Sequence, residues 1–231
     1  MKMSEEGTAR PLRIMLVEDH IAYRQALALM LDRDPGFEVV AQAGTLAEAQ
    51  LSLDERETQE GIDAAVIDLA LPDGNGADLI GDLRSHNPDL TVLVLSATLR
   101  QANLTKAVWA GADGVLDKLA GPAEIISALR RVVAGAALPS QQEVVDALPS
   151  ADRQRDPDSD AQMAVGRITP REREVLRALA EGLDSEGVAE RLSITVEEEP
   201  ARVAALLVKL GVRTRLQAIA LAARLGLVKI G

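Results

Sequence analysis

The sequence predicts two domains, a doubly wound α/β domain with five parallel strands and a smaller all-α domain of four helices. Apolar runs and helical patterns alternate five times between residues 12 and 133, which is typical of a parallel sheet with helices on both faces. Residues 149–164 are rich in Ser, Asp, Arg, Gln and Pro and indicate a solvated linker. From residue 166 onward the helical patterns return without strands.

The composition excludes several classes of protein. The chain has 231 residues and no cysteine, so a disulfide scaffold and thiol chemistry are ruled out. Two histidines argue against a His-rich metal site. No apolar run approaches the roughly 20 residues that cross a membrane, and residues 1–10 are polar. We therefore expect a soluble cytoplasmic protein without a membrane partner.

Charge is distributed unevenly along the chain. Residues 1–165 carry 14 Lys and Arg against 27 Asp and Glu, whereas residues 166–231 carry 11 against 9. A dedicated nucleic-acid binder usually shows a clear basic patch, and the C-terminal third is only faintly basic.

The first domain is predicted from five short apolar runs bounded by turn signals. Such runs are typical of strands buried on both faces of a parallel sheet. Thr45 is a suitable N-cap for the second helix, and Pro122 suits the first turn of the last. The predicted strands are residues 12–17, 37–41, 64–68, 91–95 and 114–117, and the predicted helices are residues 21–33, 45–58, 76–86, 101–110 and 122–133.

Polar side chains stand at the ends of these strands. Right-handed crossovers bring the ends to one edge, where open α/β sheets bind their ligands. Alone, Asp68 would equally fit a cap for the turn at residues 72–76. Three carboxylates at one edge, however, repel one another unless a cation neutralises them. The strand-end residues are Glu18 and Asp19 after the first strand, Asp68 at the end of the third, Ser96 after the fourth and Lys118 after the fifth.

This set of side chains predicts a site for phosphoryl transfer. Carboxylate and carbonyl oxygens suit Mg²⁺, which binds alongside phosphate oxygens. A hydroxyl and an ammonium group suit the phosphoryl group itself. We therefore predict magnesium-assisted phosphoryl transfer with Asp68 as the nucleophile.

Four motifs across residues 12–135 resemble the receiver domain of two-component response regulators, a flavodoxin-like fold. They are residues 17–20 (VEDH), 68–76 (DLALPDGNG), 95–97 (LSA) and 111–114 (GADG), the last leading to Lys118. The resemblance implies that Asp68 accepts a phosphoryl group from a histidine kinase. The chain would then be a phosphoacceptor that catalyses at most its own dephosphorylation, and not an enzyme.

The resemblance also implies a role for each residue of the site. Mg²⁺ would be held by Glu18, Asp19, Asp68 and the backbone carbonyl of Ala70, while Ser96 and Lys118 would contact the phosphoryl oxygens.

Three positions of this domain depart from the common pattern. Glu18 stands where Asp is commoner. Val115 replaces the aromatic residue that often switches rotamer, so the activation signal must be transmitted differently. Asp117 is an unusual charge, which we expect to face outward on an edge strand.

The C-terminal segment begins with a strong helix start, because Thr169, Pro170 and Glu172 form a T-x-x-E capping box with proline in the first turn. Further helices are expected from Ser185 to Leu192, up to Leu210, and from Thr214 to Gly226. Four short helices with tight turns fit a helix-turn-helix module.

The C-terminal module resembles the LuxR-type output domain. The matching motifs are residues 169–176 (TPREREVL), 180–182 (AEG), 188–192 (VAERL) and 209–212 (KLGV). The whole chain is thus similar to NarL/FixJ-type response regulators, with a receiver at residues 10–135, a linker at 136–165 and an output domain at 166–231. The resemblance implies that the third helix enters the DNA major groove and that the fourth can dimerise, giving a homodimer on phosphorylation.

The third helix departs most from that family. Residues 197–199 are three glutamates, which would face DNA phosphates with like charge. Pro200 disfavours helix at Glu199, so we predict that the helix begins at Pro200, about a turn shorter than usual. The cations left for DNA are Arg202, Lys209, Arg213 and Arg215.

Two interpretations of the output domain remain open. In one, the protein is a phosphorylation-controlled, DNA-binding transcription regulator. In the other, the output domain does not bind DNA alone and acts through a protein partner such as another regulator, or the receiver serves as a phosphate sink. A stand-alone phosphatase is disfavoured, because no residue pattern supplies a substrate pocket beyond a phosphoryl group.

For the switch, we hypothesise that phosphorylated Asp68 recruits Ser96. This would move the fourth and fifth strand-helix units and alter the dimerisation or release of residues 166–231.

Overall fold

A computed structural model describes residues 10–53, 61–97, 101–136, 138 and 168–228, without the side chains of residues 101–103. Five parallel strands form one sheet, and they are β1 (Leu12–Val17), β2 (Phe37–Ala43), β3 (Ala64–Asp68), β6 (Thr91–Ser96) and β7 (Gly114–Asp117). A small antiparallel hairpin, β4 (Ala70–Leu71) with β5 (Gly74–Asn75), follows β3. The order of strands in the sheet is β2-β1-β3-β6-β7.

Helices cover both faces of the sheet, as predicted. The hydrophobic residues of successive strand positions alternate between two core layers, for example Met15 in one and Leu16 in the other. The helices are α1 (Ile21–Asp32) and α5 (Pro122–Val133) on one face, and α2 (Leu46–Leu53), α3 (Leu79–His86) and α4 (Gln101–Ala110) on the other.

The strand order reverses between β1 and β3, because the chain runs outward from β1 to β2 and then returns to β3 on the other side. Ligands of open α/β sheets bind outside the carboxyl ends of the strands at such a point. Glu18 and Asp19 follow β1 and Asp68 ends β3, so the topology places these carboxylates at the switch point.

The predicted elements differ from the observed ones mainly at their ends. Thr45 caps α2, since its Oγ1 accepts a hydrogen bond from the Glu48 N–H at 3.0 Å, but residues 54–58 of the predicted helix lie outside the described residues. The helix predicted from Gly76 opens with a 3₁₀ turn, Gly76–Asp78, before α3. Of the predicted linker only Ala136 and Leu138 are described, and Leu138 packs into the core layer of α1 and α5.

The C-terminal module has four helices around its own hydrophobic core. They are α6 (Pro170–Ala180), α7 (Ser185–Leu192), α8 (Glu199–Leu210) and α9 (Arg215–Arg224). The predicted capping box of α6 is present, with Thr169 and Glu172 each bonding the other's backbone N–H. The predicted start of α8 was wrong by one residue, because Glu199 already belongs to the helix and Pro200 lies in its first turn.

The module rests on the receiver through α9. Every residue from Leu216 to Ala222 is buried, so α9 is covered on all sides. Ala218 and Ile219 belong to the core of the C-terminal module, whereas Leu216 and Ala220 join the receiver core beside α4. Among the described residues no helix is long and apolar enough to span a bilayer.

Candidate phosphoacceptor and nucleic-acid-binding sites

The carboxylates at the switch point are held at different depths. Glu18 and Asp68 are almost inaccessible, at 0% and 1% exposed, because Glu18 follows and Asp68 ends a strand inside the sheet. Asp19 is more open to solvent. One oxygen from each of the three carboxylates can be chosen so that all lie within 4.8 Å of one another, which makes an acidic group able to hold a metal ion.

Lys118 bridges these carboxylates. Its Nζ lies 2.6 Å from Oδ2 of Asp68, 2.8 Å from Oε1 of Glu18 and 3.9 Å from Oδ1 of Asp19. Burial alone would lower the pKa of Lys118, but the hydrogen bonds to Asp68 and Glu18 outweigh it and raise the pKa above its usual value. The ammonium group therefore stays protonated.

The two carboxylate oxygens of Glu18 differ in their hydrogen bonding. Its Oε1 accepts hydrogen bonds from Lys118 and from the backbone N–H of His20 at 2.9 Å. Its Oε2 is buried and has no hydrogen-bond partner within the described part of the chain. Burial raises the pKa of Glu18, while Lys118 opposes the shift. A buried carboxylate oxygen without a donor fits a cation, so the residues present are suited to a divalent metal ion.

The loop after Asp68 is tightly fixed. The Ala70 N–H donates to Oδ1 of Asp68 at 3.1 Å, and the Gly76 N–H donates to the Leu69 carbonyl at 3.1 Å. A Cβ at Gly76 would lie 2.1 Å from the carbonyl oxygen of Asp68, so only glycine fits there. Asp73 accepts from the Leu46 and Ala47 N–H groups, which ties the loop to the start of α2.

Ser96 and Lys118 lie at neighbouring strand ends. Asp68 pairs with Leu95 in the sheet, which places the buried Ser96 one residue further along the next strand. The Lys118 N–H donates to the Ser96 carbonyl at 3.0 Å. Asp117 lies on the edge strand β7, as expected of an outward residue, and caps the following turn through the Leu119 N–H.

Tyr23 is a neighbour of the site that the sequence analysis missed. Its hydroxyl donates to the Lys118 carbonyl at 3.3 Å, and its ring centroid lies 5.7 Å from the Lys118 Nζ. Burial, and then the charge of Glu18, raises the pKa of Tyr23. The available signal was position, since Tyr23 lies in the first turn of α1, the helix that begins just after Asp19.

Two of the four cations expected to contact DNA are engaged within the protein. The Lys209 Nζ lies 2.9 and 2.7 Å from the two carboxylate oxygens of Glu172. Arg215 donates to the Gly135 carbonyl at 3.1 Å and to the Ser185 hydroxyl at 3.2 Å, and it pairs with Glu199. The other two, Arg202 and Arg213, are exposed.

Glu199 does not face outward with the other two glutamates. Glu197 and Glu198 are exposed, whereas Glu199 is 0% exposed and turns toward Arg215. The expectation that all three would face phosphates was therefore wrong for Glu199, because an interior guanidinium supplies its counter-charge.

Comparison with known proteins identifies both parts of the chain. Residues 14–130 match the response regulator receiver domain, and residues 167–222 match the bacterial regulatory proteins of the luxR family. The chain is 34% identical over 217 residues to the DNA-binding transcriptional activator DevR/DosR of Mycobacterium tuberculosis, covering 93% of this chain and 95% of that protein. This chain belongs to the LuxR-type response regulators. It is a two-component response regulator with a LuxR-type DNA-binding domain that controls transcription.

Another curated protein and a solved structure are also similar to this response regulator. It is 30% identical over 210 residues to the nitrate/nitrite response regulator NarP of Escherichia coli, covering 91% of this chain and 94% of NarP. The crystal structure of a LuxR-family response regulator from Aurantimonas sp. is 34% identical, with a TM-score of 0.51, over 59% of this chain and 96% of that one. The relatives are named as regulators and not as enzymes.

The contact between the two domains of the response regulator includes buried polar side chains at the start of α9. The Gln217 side chain donates to the Val108 and Trp109 carbonyls at 3.0 and 3.2 Å, and the Thr214 hydroxyl donates to the Ala112 carbonyl at 3.2 Å. The Arg224 guanidinium lies 5.5 Å from the centre of the Trp109 ring. Sequence reasoning missed this contact, because only the folded chain brings residues about 100 positions apart together.

Proposed function

We propose that a histidine kinase transfers a phosphoryl group to Asp68 and thereby controls the output domain. An Asp68 oxygen forms a bond to phosphorus while the phosphorus–nitrogen bond of the kinase phosphohistidine breaks and the imidazole takes up a proton. The observation that carries this proposal is the buried Asp68 carboxylate, held by Lys118 at 2.6 Å beside the unpartnered Glu18 oxygen. Lys118, already protonated, then pairs with the transferred oxygens, and the Ser96 hydroxyl donates to them.

Mg²⁺ is the proposed metal, held by Glu18, Asp19, Asp68 and the backbone carbonyl of Ala70. When bound, it neutralises carboxylate charge and charge on the transferring oxygens. The Lys118 ammonium contacts Oε1 of Glu18 and Oδ2 of Asp68, two oxygens of the proposed ligand residues. We therefore expect Lys118→Gln to bind Mg²⁺ more tightly than the unaltered chain, while Glu18→Gln binds it more weakly. Isothermal titration separates the two variants, and weaker binding by Lys118→Gln would contradict this arrangement.

The proposed acceptor residue can be tested with a small phosphoryl donor. Acetyl phosphate with Mg²⁺ should add one phosphoryl group to the full chain, and intact-mass measurement detects it. Asp68→Asn should abolish the addition, whereas Asp117→Asn, beside the site but turned to its own loop, should leave it intact. Phosphorylation of Asp68→Asn at the unaltered rate would place the acceptor elsewhere. The decay of the signal also measures autodephosphorylation.

The same step is proposed to loosen the contact between the domains. The strand that ends at Ser96 lies beside β7, and Val115 of β7 shares a core layer with Val108 of α4 and Leu216 of α9. Movement of Ser96 toward a phosphoryl group therefore reaches the surface on which α9 rests. We propose that α9 is then released and becomes available for dimerisation with a second copy.

Of the four cations predicted to contact DNA, two are exposed and two are held in ion pairs. Arg202 and Arg213 are exposed, whereas Lys209 and Arg215 already hold carboxylates. Each phosphate contact adds a salt-dependent share of affinity, so we expect a shallow salt dependence for duplex binding. A salt titration with the phosphoryl mimic beryllofluoride measures the slope. A steep slope, as expected for six or more phosphate contacts, would contradict this expectation.

A further inference from the structure

The outward face of α8 is aliphatic along its whole length. Ala201, Ala204, Ala205 and Val208 are all exposed, at the i, i+3, i+4 and i+7 spacing of one helix face. Val208 is 80% exposed. This is the helix that LuxR-type domains use for DNA, yet the face offers no hydrogen-bonding side chain for base edges. Four exposed aliphatic side chains on one face of a helix are typical of a surface that a partner protein covers.

An acidic border lies at the amino-terminal end of this face. Glu197 and Glu198 are exposed in the turn before α8, and Glu186 and Glu190 are exposed on α7, which packs against α8. Arg191, also on α7, is held by Glu181 at 2.7 Å. Arg202 of α8 is exposed and lines a shallow pocket beside Ala205, together with the exposed Arg171. The surface therefore combines an aliphatic stripe with negative charge at one end.

The charge around this face distinguishes three candidate partners, which are a DNA duplex, a second copy of this chain and a basic protein surface. A DNA duplex brings phosphates against the exposed glutamates, which is unfavourable. A second copy of this chain brings a net charge of −11. A basic, partly apolar protein surface matches both features, because its apolar residues cover the stripe and its Lys or Arg side chains meet the glutamates.

We propose that the outward face of α8 is a docking surface for a basic amphipathic segment of a partner protein. The face is accessible while α9 remains packed on the receiver, since these α8 residues stay exposed in that arrangement. Docking therefore does not depend on the proposed phosphorylation of Asp68. The regulator would reach its promoters through a partner that supplies further cations for DNA.

The test uses the full chain and a labelled helical peptide with one leucine face and one lysine face. A matched peptide with glutamate in place of lysine, and a duplex DNA, serve as the competing probes. Fluorescence anisotropy should show tighter binding of the lysine peptide than of either competitor. Val208→Lys should weaken it at least about tenfold, because burial of one valine is worth about that factor and the new charge repels the peptide. Glu197→Gln should weaken it by a smaller factor.

Leu51→Lys is the matched control. Leu51 is 67% exposed on α2, far along the receiver, and its replacement changes the net charge by the same amount. This variant should keep the peptide affinity within about twofold. Equal weakening by Leu51→Lys and Val208→Lys would mean attraction by net charge alone and would overturn the proposal. Preference of the unaltered chain for duplex DNA over the lysine peptide would overturn it as well.

Discussion

Arg215 and Glu199 form an ion pair whose carboxylate is completely buried. The Arg215 Nη2 lies 3.0 Å from Oε1 and 3.1 Å from Oε2 of Glu199, and the same guanidinium donates to the Gly135 carbonyl of the receiver. One side chain thus joins α8, α9 and the end of the receiver. Arg215 is held by the protein and not offered to DNA.

Replacing Arg215 by alanine should therefore destabilise the chain. It leaves the buried Glu199 carboxylate without its cation, which costs on the order of 3 kcal/mol. Urea unfolding of the full chain measures the loss. Arg213→Ala is the matched control, since Arg213 is exposed, and its effect should stay within about 0.5 kcal/mol. Equal losses for both variants would contradict a structural role for Arg215. Removing both charges with Arg215→Leu and Glu199→Val should recover most of the stability.

Gln217 offers a way to weaken the domain contact without damage to α9. Its Oε1 accepts from the Arg213 and Thr214 N–H groups in the capping box, while its Nε2 donates to the Val108 and Trp109 carbonyls of the receiver. Gln217→Glu keeps the acceptor and removes the donor, placing a carboxylate against two carbonyl oxygens. We expect the domains to separate.

Trp109 reports this separation, because it is the single tryptophan of the chain and lies at the contact. Its emission should shift to the red in Gln217→Glu, toward the emission of the beryllofluoride-bound chain. Glu181→Gln, at a side chain that pairs with Arg191 of the same domain, should leave the spectrum unchanged. Identical spectra for Gln217→Glu and the unaltered chain would show that these two hydrogen bonds do not hold the domains together.

Gly76 and Gly81 allow a paired test of the loop that positions Asp68. Gly76→Ala places a Cβ 2.1 Å from the Asp68 carbonyl oxygen and 2.7 Å from Cγ2 of Ile67, so the backbone of the acceptor strand must move. We expect a cost of about 2 kcal/mol and a phosphorylation rate at least tenfold lower. Gly81→Ala, in α3 with nothing within 4 Å, should instead stabilise the chain by about 0.5 to 1 kcal/mol. Normal phosphorylation of Gly76→Ala would mean that the loop tolerates the shift.

The sequence predicted most of the receiver because the signals there are local. Each strand is an apolar run, and the polar residue that ends it lies within one or two positions, so right-handed connections suffice to bring Glu18, Asp68 and Lys118 together. The burial of the site could also be predicted from the sequence, since parallel strands are buried on both faces. The contacts of individual side-chain oxygens could not be predicted from the sequence. The environment of Oε2 of Glu18 and the hydrogen bond of Tyr23 depend on side-chain geometry.

The output domain was harder to predict because its decisive contacts are remote along the chain. The three glutamates read as one charged run, yet Glu199 finds its counter-charge 16 residues later, and Arg215 reaches a receiver carbonyl 80 residues away. No periodicity encodes such a pair. The start of α8 differed by one residue, within the usual uncertainty of helix ends.

We expect the stability of the output domain to depend on pH through the carboxyl group of Glu172. Burial alone would raise its pKa, but the hydrogen bonds from Lys209 and Thr169 outweigh burial and lower the pKa below its ordinary 4.5. A carboxyl group with a lowered pKa stabilises the fold above its unfolded pKa, and this contribution is lost as the pH falls through the folded pKa. Solvent reaches the partly exposed pair with Lys209 and limits the size of the effect.

Glu172→Gln isolates the charge, since glutamine can still complete the capping box. At pH 7 we expect a loss of roughly 0.5 to 1 kcal/mol in the free energy of unfolding. The difference from the unaltered chain should shrink as the pH falls below 4.5, because both chains then carry an uncharged group at this position. Glu174→Gln, exposed on the same helix, should show little difference at either pH. A loss that persists unchanged at low pH would assign the effect to geometry and not to the Glu172–Lys209 ion pair.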